Sequence, residues 1–470
     1  MTGKIINLGS GDLILENDKN NESANASITG SIINTGTGKL SIENKNNTKI
    51  TGDISNLSSG KLDITNNSKI QGGITNSGSG DLSLTNTSTL TGNISNSGLG
   101  NLRINNQEGA SISKGITNSG SGTLMLNNFG SIGTNDSGYN ISNEGDGTLE
   151  ITNNSKITGD INNLGNGDLS LANTSTLTGN LSNTSNGNLN INNQDDAIIL
   201  GSITNENSGN LDLINNAFIN GNISNSANGA LDITNNSKIQ GGITNSGSGD
   251  LSLTNTSTLT GNISNSGTGN LMIENKNNNG NNTSTISSSI MNTNSGNLML
   301  DNSASIMGSI MNQGSGNLML NNTGSITKGI TNFGNGNLSL TNQENATISG
   351  GITNSGSGTL MLNNSGSIGM NDSGYNISNE GDGSVNITSW TIRTDDTTKS
   401  LQTLTVGGRS ANSVMVENLI VDQSNLNMDE LNDINNLVSG VSLNNIKKIN
   451  TNGSGEMILS YDALSGKIST

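Results

Sequence analysis

The chain has 470 residues, but only 29% are apolar and 1% aromatic, too few to fill the cores of several large globular domains. A formal net charge of −17 gives no basic footprint for nucleic acid and opposes contact with anionic lipid, so neither is expected as a partner. The complete absence of His and Cys removes the commonest general base, thiolate metal sites and disulfides, and no cofactor is expected.

Low apolar content would normally indicate disorder. A strict period argues otherwise, because a disordered chain has no need to hold Ile and Leu in register. No basic and apolar leader follows Met1, and no run of about 18 apolar residues exists. An exported form is therefore expected to lack its signal here, or to be represented by a fragment. From residue 2 to residue 392 the sequence divides into eighteen units of about twenty residues, and 1–392 is read as one repeat domain. A period in this range predicts a solenoid in which each unit covers the apolar face of its neighbour.

The unit formed by residues 71–90 reads QGGITNSGSGDLSLTNTSTL. Its even positions, Ile74, Asn76, Gly78, Gly80, Leu82, Leu84, Asn86, Ser88 and Leu90, alternate with Thr, Ser and Asp. Period two over this length predicts extended chain with one buried face, and the Gly, Asn, Ser and Thr content disfavours helix. Because twenty is even, the same positions face inward in every unit. Three short strands per turn follow, at Ile-x-Asn, Leu-x-Leu-x-Asn and Ser-x-Ile/Leu-x-Gly. The predicted fold is all-β, a parallel β-helix of about eighteen rungs.

Two asparagine columns are predicted inside it. One runs through Asn76, Asn96, Asn118 and Asn245 and is present in every unit; the other runs through Asn66, Asn86 and Asn106 and fails only at Ser389. An amide stacked on the same amide can donate to one neighbour and accept from the other. The Gly before each Leu pair, Gly80 among them, suits a turn with positive φ or a close backbone approach. No Gly-Lys-Ser/Thr follows these glycines, so they are not a phosphate loop, and the calcium-binding nonapeptide repeat is missing.

Residues 62–98 recur letter for letter as 231–267. Residues 115–147 recur as 351–383 with two changes, Phe129 to Ser365 and Thr134 to Met370. Extra residues are concentrated after the second Asn, at 45–49, 107–111, 194–198 and 343–347, with longer insertions at 18–27 and 276–285. All six should project from one corner, and insertions on one face often mark a binding side. Glu108, Asp195, Asp196 and Glu344 make that corner acidic in places and are the candidate partner contacts. A second kind of insertion, 133–140 and 369–376, adds Tyr139 and Tyr375, two of only three tyrosines, within an Asx-rich loop. No catalytic or metal-ligating residue is assigned.

Periodicity fades at Trp390, the only Trp, and 393–470 is read as a distinct β-rich end region that stops edge-to-edge stacking. Residues 400–408 and 412–423 are expected to form longer strands, and 429–438 a short helix with Leu431, Ile434 and Val438 on one side.

The Asn/Gly/Ser/Thr-rich rungs, the SGNLMLNN…GSI…G wording and the altered C-terminal end resemble an autotransporter passenger of Gram-negative bacteria. Their Asn-, Ile- and Lys-rich style is similar to surface adhesins of Campylobacter and Helicobacter relatives. The resemblance implies a right-handed parallel β-helix on the outer cell surface or secreted. It also implies export through a C-terminal barrel, for which this chain has no stretch of the required kind. The expected function is a non-enzymatic, adhesin-like stalk that meets host-cell, neighbouring-cell or matrix molecules. A β-helical carbohydrate-active enzyme is the alternative. It would need a carboxylate pair or a basic residue beside sugar-stacking aromatics, and three Arg, one Trp and dispersed carboxylates argue against it. A purely structural surface coat is a further alternative. An ice- or crystal-binding threonine ladder at Thr85, Thr87, Thr89 and Thr91 is not supported, because the preceding rung has Thr65, Asn67, Lys69 and Gln71 there.

Overall fold

The computed structural model describes residues 1–19, 26–133, 141–226, 228–277, 284–394, 401–409, 413–422, 433–452, 458–462 and 464–469. These fall into two compact units, Met1–Gly241 and Gly242–Thr470. Both are parallel β-solenoids, and the described residues contain almost no helix.

The rung read from the sequence is the rung observed. Its first strand is Ile74–Asn76, its second Leu82–Asn86 and its third Thr89–Leu90. Each pairs in parallel with the equivalent strand of the next rung, Ile74 opposite Ile94, Leu82 opposite Leu102 and Leu90 opposite Ile112. The buried residues are the even ones: Ile74, Leu82, Leu84 and Leu90 are fully or almost fully covered, as are Asn76 and Asn86. Four aliphatics cannot by themselves offset the entropy of ordering a whole rung, so each rung depends on the neighbours above and below it.

First strands number eleven in one unit and seven in the other, matching the eighteen sequence units. The third strand shrinks to an isolated bridge at Ile157 and at Ile239, and the solenoid amounts to about sixteen turns.

Both asparagine columns form hydrogen-bonded ladders. In the first, Asn76 Nδ2 donates to Asn96 Oδ1 at 2.8 Å, and Asn96 to Asn118 at 2.7 Å. In the second unit Asn245 donates to Asn265 at 3.0 Å. The second ladder repeats the pattern, Asn66 to Asn86 at 2.7 Å and Asn86 to Asn106 at 2.8 Å. Each amide has another donor hydrogen to place, and the two ladders place it differently. Asn76 gives it to the carbonyl of Gly80, four residues on in its own rung, at 2.8 Å. Asn86 shares it between the carbonyl of Ser88, two residues on in its own rung, at 3.0 Å, and that of Ser111 in the third strand of the next rung, at 3.2 Å.

Gly80 is glycine because of space, not because of a left-handed backbone. A Cβ added there would collide with the carbonyl oxygen of Gly60 in the rung before, whereas Gly80 is not among the residues with positive φ. Of the two reasons expected for this glycine, only the close approach operates.

The ladders end differently from expectation. The second ladder position after Asn364 is Trp390, not Ser389, because a bulge after Ile387 moves Ser389 opposite Asn363. Trp390 is 2% exposed and lies against Asn364 as an apolar stop. The first ladder ends at Asn379, whose Nδ2 turns to Gly383 O at 2.7 Å and Ser413 Oγ at 3.1 Å. Beyond it, Leu404–Gly407 still pairs with the last first strand. The long strand expected over 412–423 is two strands, Val414–Val416 and Leu419–Asp422, broken at Glu417 and Asn418. Of the helix expected over 429–438, residues 429–432 lie outside the described residues. Of the rest, Ile434–Asn436 is a 3-10 turn N-capped by Asp433, and Val438 instead begins a short strand opposite Leu404. Past these strands the pairing turns antiparallel, Ile449–Asn452 with Ile458–Tyr461 and the latter with Ile468–Ser469, so the parallel stacking of rungs gives way at this end.

Two outcomes follow. Removing residues 71–90, one whole rung, should leave a cooperatively folded protein, while removing 71–80 should not; equal thermal melts for the two deletions would contradict the rung assignment. Asn245→Asp replaces the donors to Asn265 Oδ1 and Gly249 O with a desolvated carboxylate, at a cost of about 3 kcal/mol or more. Thr244→Asp, on the outer side of the same strand, should cost under about 0.5 kcal/mol, as denaturant titration of both variants would reveal.

Candidate functional site

The insertion corner follows the second-ladder Asn. In a regular rung the chain passes from Asn86 to the third strand through Thr87 and Ser88 only. With two more residues it makes a β-turn first. The N–H of Ala110 donates to Gln107 O at 3.0 Å, that of Ala197 to Gln194 O at 3.1 Å, and that of Ala346 to Gln343 O at 3.1 Å. The third residue of each turn has positive φ: Gly109 at 77°, Asp196 at 65° and Asn345 at 66°. Such a turn favours Gly, Asn or Asp there, which explains the residue types. The turn at Lys45 has Asn46 and Asn47 at 56° and 58° and closes on buried Thr48.

Every such turn returns to a small buried residue. Ala110, Ala197 and Ala346 are covered, as are Thr48, Ser284 and Ala304 at the equivalent point. At Gly130 not even a Cβ fits, since it would meet Ala110 O, Gln107 O and Asn106 Nδ2. This inner column of small residues was visible only as Ser88 on the inward side of the alternation. Its size limit becomes clear where Ala and Gly replace Ser.

The turn tips hold the predicted acidic residues, and all are exposed: Glu108, Asp195, Asp196 and Glu344. The fold does not gather them into one cluster. Glu108 and the Asp195–Asp196 pair occupy the same corner four rungs apart, roughly 19 Å along the stack at about 4.8 Å per rung. Glu344 belongs to the second unit and forms a 3.3 Å ion pair with Arg393, which also lies 3.6 Å from Asp422. With Glu344 72% exposed, this pair contributes little stability. At the Lys45 turn a hydrogen bond to Glu43, 3.1 Å away, holds the ammonium above its ordinary pKa. Among the described residues no three acidic side chains are close enough to hold a metal ion together.

The longer insertions lie mostly outside the described residues, and so does Tyr139. Their second-unit flank is ordered around buried Ser284, whose N–H donates to Asn277 Oδ1 at 3.0 Å and whose Oγ reaches Asn275 Oδ1 at 2.6 Å. Tyr375 is half-buried, with its ring directly over Gly407, where an added Cβ would strike it. Its loop is closed internally: Asn371 Oδ1 accepts from Ser373 N at 3.0 Å and Tyr375 N at 3.1 Å, and Gly374 N donates to Asn371 O at 2.9 Å. The side-chain oxygen of Asn371 is thus engaged within the loop.

In the first unit the Glu108 turn borders an open cleft of about 560 Å³, lined by Gly109, Ala110, Phe129, Gly130, Asn154 and Ser155. Phe129 is 48% exposed and is its one aromatic wall. Sequence reasoning did not assign it a role. The available signal was that Phe129 is one of only two positions at which the copied blocks differ. No helix among the described residues is long and apolar enough to cross a membrane. No family model, curated protein or solved structure matches the chain.

The packing at this corner separates its two roles. Gly130→Ala should cost about 2 kcal/mol by overpacking against the Ala110 and Gln107 carbonyls. Glu108→Ala, at the exposed tip, should change stability by under about 0.5 kcal/mol. Chemical denaturation that ranks them the other way would contradict the inner column.

Proposed function

We propose that this protein is a non-enzymatic stalk of the autotransporter-passenger kind, displayed at a cell surface or secreted, which attaches to cells or matrix through its insertion corner. The observation that carries this reading is the contrast between that corner and the rest of each rung. Elsewhere the outer residues of successive rungs are mostly small and polar, as at Thr75, Ser95 and Thr117, and offer a partner little to distinguish. At the corner, β-turns of two added residues lift Glu108, Asp195, Asp196 and Glu344 away from the stack, and Phe129 stands beside the first of them. Acidic tips beside an aromatic wall suit a partner surface that combines basic and apolar groups. The parallel solenoid and the passenger-like wording of its rungs support the same reading.

The test is attachment of beads coated with purified protein to cultured cells. Replacing Glu108, Asp195, Asp196 and Glu344 by Ser, with insertions 18–27 and 276–285 trimmed to regular length, should leave the far-UV circular dichroism unchanged and reduce attachment several-fold. Calcium chelation should have little effect. Unchanged attachment by the folded variant would remove the corner as the recognition site. Depolymerisation of a polysaccharide by the wild-type protein would overturn the non-enzymatic reading.

A further inference from the structure

In the second unit three consecutive second strands, Leu271–Asn275, Leu298–Asn302 and Leu318–Asn322, have Met at their first outward position. The register places Met272 opposite Met299 and Met299 opposite Met319. Ser252 bounds this run on one side and Ser339 on the other. Met272 and Met299 are half-buried by their neighbours, and Met319 is 50% exposed. Two residues along the same face, Glu274 stands opposite Asp301, and both are exposed. Lys276 is paired with Glu274 at 2.9 Å.

We propose that Met272, Met299 and Met319 form a site for a soft monovalent cation, Cu(I) by the chemistry of the ligands. Thioether sulfur is a soft donor that selects Cu(I) over hard divalent ions. The rung repeat supplies the spacing. With metal–sulfur bonds of about 2.3 Å, two sulfurs flanking one ion stand up to about 4.6 Å apart, close to the roughly 4.8 Å between adjacent strands. Met299 has a Met on each side, so two or three thioethers can converge without any backbone movement. The flexibility of Met lets the sulfurs adjust to the ion. Neutral thioethers leave the charge of the ion uncompensated, and Asp301 beside Met299 supplies the opposite sign on the same face.

Met291 and Met311 also stand opposite each other, on the first strands of two of these rungs, but with Ser264 before them and Thr331 after they form a column of two only. Met361 has Ser339 and Asn386 as its in-register neighbours, and Met125 has Arg103 and Glu150. They serve as internal controls. This proposal does not depend on the attachment function, because it concerns a different face and a different ligand.

The experiment titrates the full chain with Ag(I), a redox-stable probe, by calorimetry. Cu(I) is then titrated anaerobically in competition with a chromophoric Cu(I) chelator. The wild type should hold one ion more tightly than free methionine does under the same conditions. Met299→Leu keeps apolar bulk and should weaken that binding at least tenfold. Met311→Leu and Met361→Leu should leave it unchanged, and Asp301→Asn should weaken it by less than Met299→Leu does. Circular dichroism identical to wild type confirms that each variant is folded. Binding by the wild type no tighter than free methionine would overturn the proposal. So would binding that survives replacement of all three methionines by Leu, which would reduce the ladder to an apolar stripe.

Discussion

A buried primary amide has two N–H donors and an oxygen to satisfy, and this fold depends on how each rung places them. Asn76 accepts at Oδ1 from Asn56, donates to Asn96, and donates again to Gly80 O, at 2.7, 2.8 and 2.8 Å. The amide is therefore saturated by one partner behind, one ahead and one in its own corner. Leaving any of these groups unpaired in so small a core would cost on the order of 1–3 kcal/mol. A slip of one residue in a strand would expose the amide and bury its polar neighbour, so the ladder also fixes register. With so few apolar residues per rung, this polar register does what bulky side chains do in larger cores.

The second donor explains where the sequence can vary. In the first ladder it is held by the carbonyl four residues on, as in Asn118 to Gly122 at 2.8 Å and Asn332 to Gly336 at 2.9 Å. That bond spans the corner itself, so the corner must keep its length, and its glycines must let successive backbones approach. In the second ladder the same donor reaches the next rung. Asn106 donates to Ser131 O at 3.2 Å and Asn275 to Ser305 O at 3.1 Å, although 25 residues separate the first pair and 30 the second. In some regular rungs that donor also meets a carbonyl of the following loop, as Asn86 does with Ser88 O at 3.0 Å, but the lengthened loops after Asn106 and Asn193 do without that bond, so residues can be added there without breaking either ladder. The insertions at 107–111, 194–198 and 343–347 all use that freedom.

The same asymmetry marks how far the sequence could be read. The inward Asn76, Asn86, Leu82 and Leu84 were legible because periods of two and twenty reinforce each other over many rungs. Gly80 was half legible: the need for glycine was plain, but only stacking reveals that the obstacle is the Gly60 carbonyl. Trp390 was misplaced by one residue because a bulge leaves no mark in an alternation that is already ending. The interruption at Glu417 and Asn418 was hidden for a similar reason, since Val and Leu continue on both sides of it. At the candidate site the exposed tips Glu108 and Asp196 followed from insertion length alone. Phe129 did not, because the cleft it walls exists only once the Glu108 turn of the preceding rung is stacked beside it. Tyr375 looked available as an isolated aromatic in a polar loop, yet its ring covers Gly407.

A ladder that repeats in every rung also limits what function can be built on it. Inner positions are committed to amides, aliphatics and small residues, so specificity can only come from the outer side. There the fold offers two resources. One is a corner whose length is unconstrained, where single rungs can differ from their neighbours as Glu108 and Asp195 do. The other is in-register repetition, where the same outward residue in consecutive rungs stands about 4.8 Å apart and becomes a column. Thr75, Ser95 and Thr117 form a column with little chemistry. Met272, Met299 and Met319 form one with a great deal, because a single soft ion can bridge donors at that spacing. Copying a rung thus has different consequences on the two sides of the wall: inside it extends a structure already satisfied, and outside it can turn one weak ligand into several.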